Sequence, residues 1–159
     1  MSNHDPAPIK AIRYADYRFE VPFLDHLDVL VEVHPETPTL VVDLQRHHLN
    51  GGGQAHGGLM MTLLDMAMAA ATRPLCKEPG FYVTVEMKSN FLRPGGGTGG
   101  SLRARGTLRH ASRTLAFCDG ELLDQDGRLI ATASGTFKFV PRAMGADAPA
   151  GAASGESHR

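Results

Sequence analysis

The residue types able to do chemistry in this chain converge on one stretch, His48-Leu49-Asn50-Gly51-Gly52-Gly53-Gln54-Ala55-His56-Gly57-Gly58, and on the acid that follows it, Asp65. A helix that opens on glycines leaves its first backbone N–H groups bare and aimed outward. Those groups carry the positive end of the helix dipole, so an oxygen bearing or developing negative charge binds there. The same glycines would serve equally as a tight turn into the helix, with His56 as its N-cap, and the stretch alone does not choose. Asp65 tips the balance. It is the only ionisable side chain between His56 and Arg73, and an isolated carboxylate in a dry helix is costly unless paired or hydrogen-bonded. An ordinary core would use Ala or Leu, and acids in such surroundings concentrate at active sites. The plainer alternatives are an Asp satisfied by local backbone or one on a polar seam between subunits.

Spacing sharpens the reading. Eight residues separate Gly57 from Asp65, about 12 Å along a helix at 1.5 Å per residue. A short Asp side chain does not bridge that distance. If both groups act on one substrate, the Asp comes from another subunit whose helix lies alongside in the opposite direction, giving two symmetry-related sites per dimer. Thr84 is a third candidate, placed by alternation on the polar face of the strand after the helix, where its hydroxyl could hold a water; as a β-former on an exposed face it also needs no function.

Two textures supply the elements that position these groups. Gly57 to about Thr72 is rich in Leu, Met and Ala, apolar on all sides, and ends at Arg73-Pro74; this reads as a helix buried all round. The rest is strand-like. Leu27–Val33 and Thr39–Leu44 flank a turn at 34–38, and four alternating runs follow residue 80. In the first, Val83, Val85 and Met87 face one way and Thr84, Glu86 and Lys88 the other. Asp124-Gln125-Asp126-Gly127 marks a hairpin. One helix enclosed by an antiparallel sheet is an α+β fold.

Other features narrow the function. Lys+Arg 16 against Asp+Glu 17 gives a net charge of −1, with no electrostatic reason to expect nucleic acid. Cys76 and Cys118 form no CxxC, which fits a reducing compartment, and the polar start lacks the build of a signal peptide. Leu59–Ala71 is too short to span a bilayer, so a soluble, cytoplasmic protein is expected. Gly95–Gly100 matches G-x-G-x-x-G but opens no helix and reads as a flexible hairpin loop. His47-His48 lacks a spaced partner, so no metal site is expected. Arg103, Arg105 and Arg109 form a basic strand face, usually a solvated surface. We expect a lead-in with a short helix over 1–20, one domain over 21–141 and a disordered tail over 142–159.

Pro22-Phe23-Leu24-Asp25-His26-Leu27, the Asn50…His56-Gly57-Gly58…Asp65-Met66-Ala67 pattern and Asn90-Phe91-Leu92-Arg93-Pro94 together resemble the hotdog-fold acyl-CoA thioesterases, in the phenylacetate-degradation (PaaI-type) branch of the 4-hydroxybenzoyl-CoA thioesterase superfamily. The resemblance implies a buried helix wrapped by an antiparallel sheet, and dimers or tetramers with sites at subunit interfaces. It implies hydrolysis of acyl-CoA or aryl-CoA to the free acid and CoA, with no cofactor beyond the CoA of the substrate. Carried over, the Gly57 N–H would polarise the thioester carbonyl, and Asp65 of the partner would act as base toward water or as nucleophile. Asn50 would orient water or thioester, His56 would lie beside the reacting group, and Thr84 would position the water. Gly58, Arg93 and Arg113 are the candidates for binding substrate and CoA. Leu27-Asp28 departs from the Leu-Gly pair common in the branch. The competing readings are a non-catalytic acyl-CoA-binding sensor on the same fold, and a hotdog dehydratase or hydratase.

Overall fold

A computed structural model describes residues 10–17, 20–35 and 37–141; the expected tail at 142–159 lies outside them. The elements are β1 (Ala11–Arg13), α1 (Tyr14–Tyr17), α2 (Pro22–His26), β2 (Leu30–Glu32), β3 (Thr39–Asp43), α3 (Gly57–Ala71), β4 (Gly80–Phe91), β5 (Ser101–Ala111), β6 (Leu115–Asp124) and β7 (Leu129–Pro141). The strands form one antiparallel sheet of order β1-β2-β3-β5-β6-β7-β4, with α3 packed on its inner face through Leu59, Leu63, Leu64, Ala67 and Met68. This is the expected hotdog architecture.

Glycines in the sheet let the helix sit that close. A Cβ on Gly106 of β5 would lie 2.1 Å from the Ala67 carbonyl oxygen, and one on Gly120 of β6 would lie 3.1 Å from Leu64. These two glycines face each other across the β5–β6 ladder, so the helix backbone rests in a shallow trough where any other residue would push it away. His56 caps the start of α3. At its end the Thr72 hydroxyl donates to the Ala69 carbonyl (2.7 Å), and Pro74 stops the helix.

Five expectations are revised. First, α3 is not buried all round: Gly58 and Met61 are exposed, and Thr62, Asp65, Met66 and Ala69 half-buried. Those positions repeat at three and four residues, so they form one continuous stripe that a single sheet, covering one side, leaves open. Second, the alternation of β4 breaks at Val85, where Thr84 pairs with Phe137 but Glu86 pairs with Thr136. The extra residue is a β-bulge, and it puts Thr84 and Glu86 on opposite faces. Thr84 turns in toward α3, Glu86 turns out to accept a hydrogen bond from Thr136 (2.6 Å), and Met87 packs on the core.

Third, Gly95–Gly100 is not a hairpin, because β4 lies at the sheet edge and β5 in its middle. The loop crosses between them and is pinned: Gly96 O accepts from Ala55 N (2.7 Å), and Leu44 N donates to Gly100 O (2.8 Å). Fourth, only Leu30–Glu32 of the first expected strand is extended. The turn before it holds Asp28 at φ 51°, the left-handed region that glycine favours and Asp tolerates. Fifth, part of the expected lead-in belongs to the sheet, since β1 pairs with β2 and Tyr14 is buried.

The basic strand face is matched by acceptors. Arg103 bonds Glu32 (3.1 Å), Arg105 bonds Thr39 and Arg109 bonds Asp119 (2.6 Å). Among the described residues no helix is long and apolar enough to cross a membrane.

Candidate active site

The loop from β3 to α3 is built by its own polar groups. Asn50 Oδ1 accepts from Gly52 N (2.9 Å) and Gln54 N (3.2 Å), and the Asn50 N–H donates to the Gln54 carbonyl (2.7 Å). The carboxamide oxygen is therefore committed to the turn, and what Asn50 offers outward is its NH₂ group. Gln54 in turn accepts from Gly96 N (3.1 Å), bracing this loop against the glycine crossover.

At the helix start, His56 Nδ1 accepts from Gly58 N (2.9 Å). An acceptor at Nδ1 puts the proton of the neutral ring on Nε2, so His56 presents an N–H donor. The same bond occupies the Gly58 N–H, which is not free to hold a substrate. No described group accepts from the Gly57 N–H. A Cβ at Gly57 would meet only the Phe91 ring, at 3.7 Å. Nothing in the packing of the chain demands glycine there; its absent side chain leaves the bare amide approachable.

Asp65 lies two turns on, half-buried on the open stripe of α3, and its Oδ1 accepts from the Thr84 hydroxyl at 2.7 Å. One carboxylate oxygen is thus anchored, and Thr84 holds the acid directly. Asp65 and Thr84 are brought together within one chain; Gly57 and Asp65 are not, as the helical rise requires. Arg93 donates to the Leu129 carbonyl (2.6 Å) beyond the end of β4. Arg113 is exposed in the β5–β6 turn, level with the opposite end of β4, since Leu115 pairs with Lys138 and Lys138 with Val83. From Val83 to Phe91 is about 27 Å of strand, so one protomer does not bring Arg93 and Arg113 to the same phosphate.

A further polar cluster had no signal in the spacing: ring or carboxylate atoms of Asp28, His47 and His48 lie within 4.8 Å of one another. His48 is buried, with Nδ1 accepting from Gln45 N (3.0 Å) and Nε2 donating to the Leu27 carbonyl (3.0 Å). Its lone pair is already engaged, so it could ligate an ion only by breaking that bond.

The uncovered surface completes the picture. β4 is a 12-residue edge strand with Phe81, Val83, Val85 (57%) and Phe91 (49%) exposed, and Met61 and Leu92 exposed beside it. Residues 52–131 match the Thioesterase superfamily. The chain belongs to that family. The thioesterase-superfamily match takes in the capped start of α3, Asp65 and Thr84. A Schizosaccharomyces pombe protein that carries the name of an esterase is 33% identical over 104 residues, 64% of this chain; the match spans 62% of that protein, under two thirds of its length. A single-site mutant of the phenylacetic acid degradation protein PaaI from Thermus thermophilus is 28% identical, with a TM-score of 0.65 over 74% of this chain and 98% of that one. A Bacillus halodurans protein solved with CoA shares the fold at 21% identity, with a TM-score of 0.72 over 79% of this chain and 82% of that one. In these thioesterase-superfamily terms the chain is of the PaaI-type hotdog kind.

Proposed function

We propose that the protein hydrolyses acyl-CoA or aryl-CoA thioesters to the free acid and CoA, in a homodimer whose two sites each combine the Gly57 amide of one chain with Asp65 of the other. The observation that carries this reading is an anchored carboxylate on the bare stripe of a helix that also presents a bare amide at its start. The two groups are one charge-binding donor and one base, the pair that hydrolysis of a thioester needs.

In the proposed reaction the thioester carbonyl oxygen accepts from the Gly57 N–H. Asp65 of the second chain takes a proton from water as the water oxygen bonds to the carbonyl carbon, and the resulting oxyanion is held by the amide. A donor placed at such an oxyanion contributes roughly 3–4 kcal/mol, and a placed base about 10²–10⁴-fold. Collapse breaks the C–S bond; the electron pair leaves with the CoA sulfur, and the proton held by Asp65 passes to it. Thr84 fixes the acid so that its second oxygen meets the water. The outward NH₂ of Asn50 and Nε2–H of His56 are suited to donate to the thioester or the water. Nothing in these steps calls for a cofactor besides the CoA of the substrate.

The dimer reading is supported by the edge of the sheet. An open 12-residue edge strand that exposes Phe81, Val83, Val85 and Phe91 is a surface that folded proteins cover or protect, and pairing β4 with β4 of a second copy about a twofold sets the two α3 stripes against each other. In that arrangement Arg93 of one chain approaches Arg113 of the other, which lets both serve one CoA.

Thiol release from a panel of acyl- and aryl-CoAs tests the reaction. Turnover with at least one of them, lost in Asp65→Asn, is the expected result; binding of CoA thioesters with no thiol released by the native protein points to the sensor reading instead.

A further inference from the structure

His48 sits at the crossing of three segments, and each of its polar groups is engaged. Its ring reaches back to the Leu27 carbonyl after α2 and to Gln45 N at the exit from β3. Its carbonyl accepts from the His56 N–H at 2.8 Å, the residue that caps α3 and precedes Gly57. Between His48 and His56 the loop is closed on itself by Asn50, with a Leu49–Ala55 bridge. The position of the Gly57 amide therefore depends on where the His48 backbone lies, and the ring fixes the backbone.

The two ring contacts accept only one protonation state. The Leu27 carbonyl needs a proton on Nε2, and the Gln45 N–H needs a lone pair on Nδ1. We propose that His48 is a positioning residue for the Gly57 amide, latching the loop that leads into α3 only as the neutral imidazole with its proton on Nε2. Adding a proton at Nδ1 sets N–H against N–H at Gln45, and the latch opens. The surrounding charges do not hide this. Asp28 faces the ring from the α2–β2 turn and is paired with His47 (3.3 Å), and the His47 ring lies tilted against His48 with centroids 3.9 Å apart. Asp43 lies at the end of β3, Arg46 is in the same turn, and Arg13 and Asp25 line a cavity next to Asp28, Asp43 and Gln45. Burial, with a smaller contribution from His47, outweighs the Leu27 carbonyl, the Asp28 carboxylate and the Asp43 backbone, and holds the imidazole below its ordinary value of 6.5. The neutral latch thus persists through neutral pH and opens on acidification.

The activity readout rests on the thioesterase reading; the structural readout does not. Two variants are compared with the native protein: His48→Leu, which removes both ring bonds, and His48→Gln, whose carboxamide can both donate and accept but does not titrate. Amide exchange, corrected for intrinsic pH dependence, is followed at His56, whose N–H donates to the His48 carbonyl, with kcat and KM for thiol release measured on the same samples. In the native protein, protection at His56 and kcat are expected to fall together along one proton titration below pH 6.5, with KM little changed. His48→Leu is expected to lose about tenfold or more in both at neutral pH while the β5–β6 amides keep their protection. His48→Gln is expected to recover most of both and to lose the acid transition. Native-like protection at His56 in His48→Leu, or an unchanged acid transition in His48→Gln, overturns the proposal. If His48→Leu does not fold, the acid transition in His48→Gln decides alone. A native protein that releases no thiol at any pH sinks the thioesterase reading, and the exchange data still decide the latch.

Discussion

The Thr84 hydroxyl donates to Asp65 Oδ1 at 2.7 Å, joining the edge strand β4 to the central helix α3. The contact exists because the bulge at Val85 turns Thr84 inward. A hydrogen bond to a charged group contributes roughly 1.5–3 kcal/mol. Thr84→Val should lower kcat by about 10- to 100-fold, since roughly 1.4 kcal/mol is a factor of ten, while Thr84→Ser keeps most of it. Asp65→Asn should fold, bind CoA and lose about 10²–10⁴-fold in turnover. Steady-state kinetics beside circular dichroism check both; near-native kcat in Asp65→Asn removes the acid from the mechanism.

Gly57→Ala separates packing from chemistry. The new methyl meets only the Phe91 ring at an ordinary 3.7 Å, and Ala is a better helix former than Gly by up to about 1 kcal/mol. Thermal stability should hold or rise while kcat falls, because the methyl crowds the approach to the amide. A variant equally stable and equally active would show that the amide is not where the carbonyl binds.

Gly106→Ala has the opposite signature. Its methyl would enter the backbone of α3, 2.1 Å from the Ala67 oxygen. Helix and sheet would have to separate, at a cost of about 1–3 kcal/mol or more. Urea denaturation should show a lower midpoint, with activity in the surviving folded fraction reduced as Asp65 shifts away from Thr84. An unchanged midpoint would mean the helix rides higher over the sheet than described.

The helix and the four long strands were legible because each carries a local signal: Gly57–Ala71 is a run of good helix formers, rich in Leu, Met and Ala, and 101–111 alternates. What failed was non-local or one residue wide. The Val85 bulge leaves no mark in composition, yet it moves Thr84 from the outer face to the inner one. The path of Gly95–Gly100 depends on which strands are neighbours, and adjacency in sequence suggests a hairpin that the strand order forbids. At the candidate site, Asp65 stood out as the sole acid of its helix. The inward commitments of Asn50 Oδ1 and the Gly58 N–H did not, since side-chain to backbone bonds in a loop follow from its closed shape. The His48 latch was invisible for the same reason: Leu27 and His48 are 21 residues apart.

The two cysteines should differ sharply toward thiol reagents. Burial pushes the Cys118 thiol up to about 11, so almost none is thiolate near neutral pH and the sulfur is also shielded. Cys76 is half-exposed after α3. Native protein should titrate one thiol per chain, with the second appearing only in denaturant. Mass mapping that finds Cys118 labelled in native protein would contradict the packing of β6. The same measurement sets the background for following CoA release with a thiol reagent.

The shared site makes the most demanding prediction. Lysine at Val83 and Val85 puts like charges along both copies of an edge that would otherwise pair, so the double variant should sediment as a monomer and lose turnover with its fold intact. Complementation then tests which groups meet. A subunit carrying Asp65→Asn retains its Gly57 amide, and one blocked at the helix start by Gly57→Val retains its acid. Each homodimer lacks one half of both sites, whereas a heterodimer has one site with both halves intact and one with neither. Refolded together at equal amounts, half the dimers are hetero and each has one good site of two, so activity should recover to about a quarter of the native level. Heterodimers shown by mass to form, yet no more active than either parent, would mean that amide and acid do not meet across the interface.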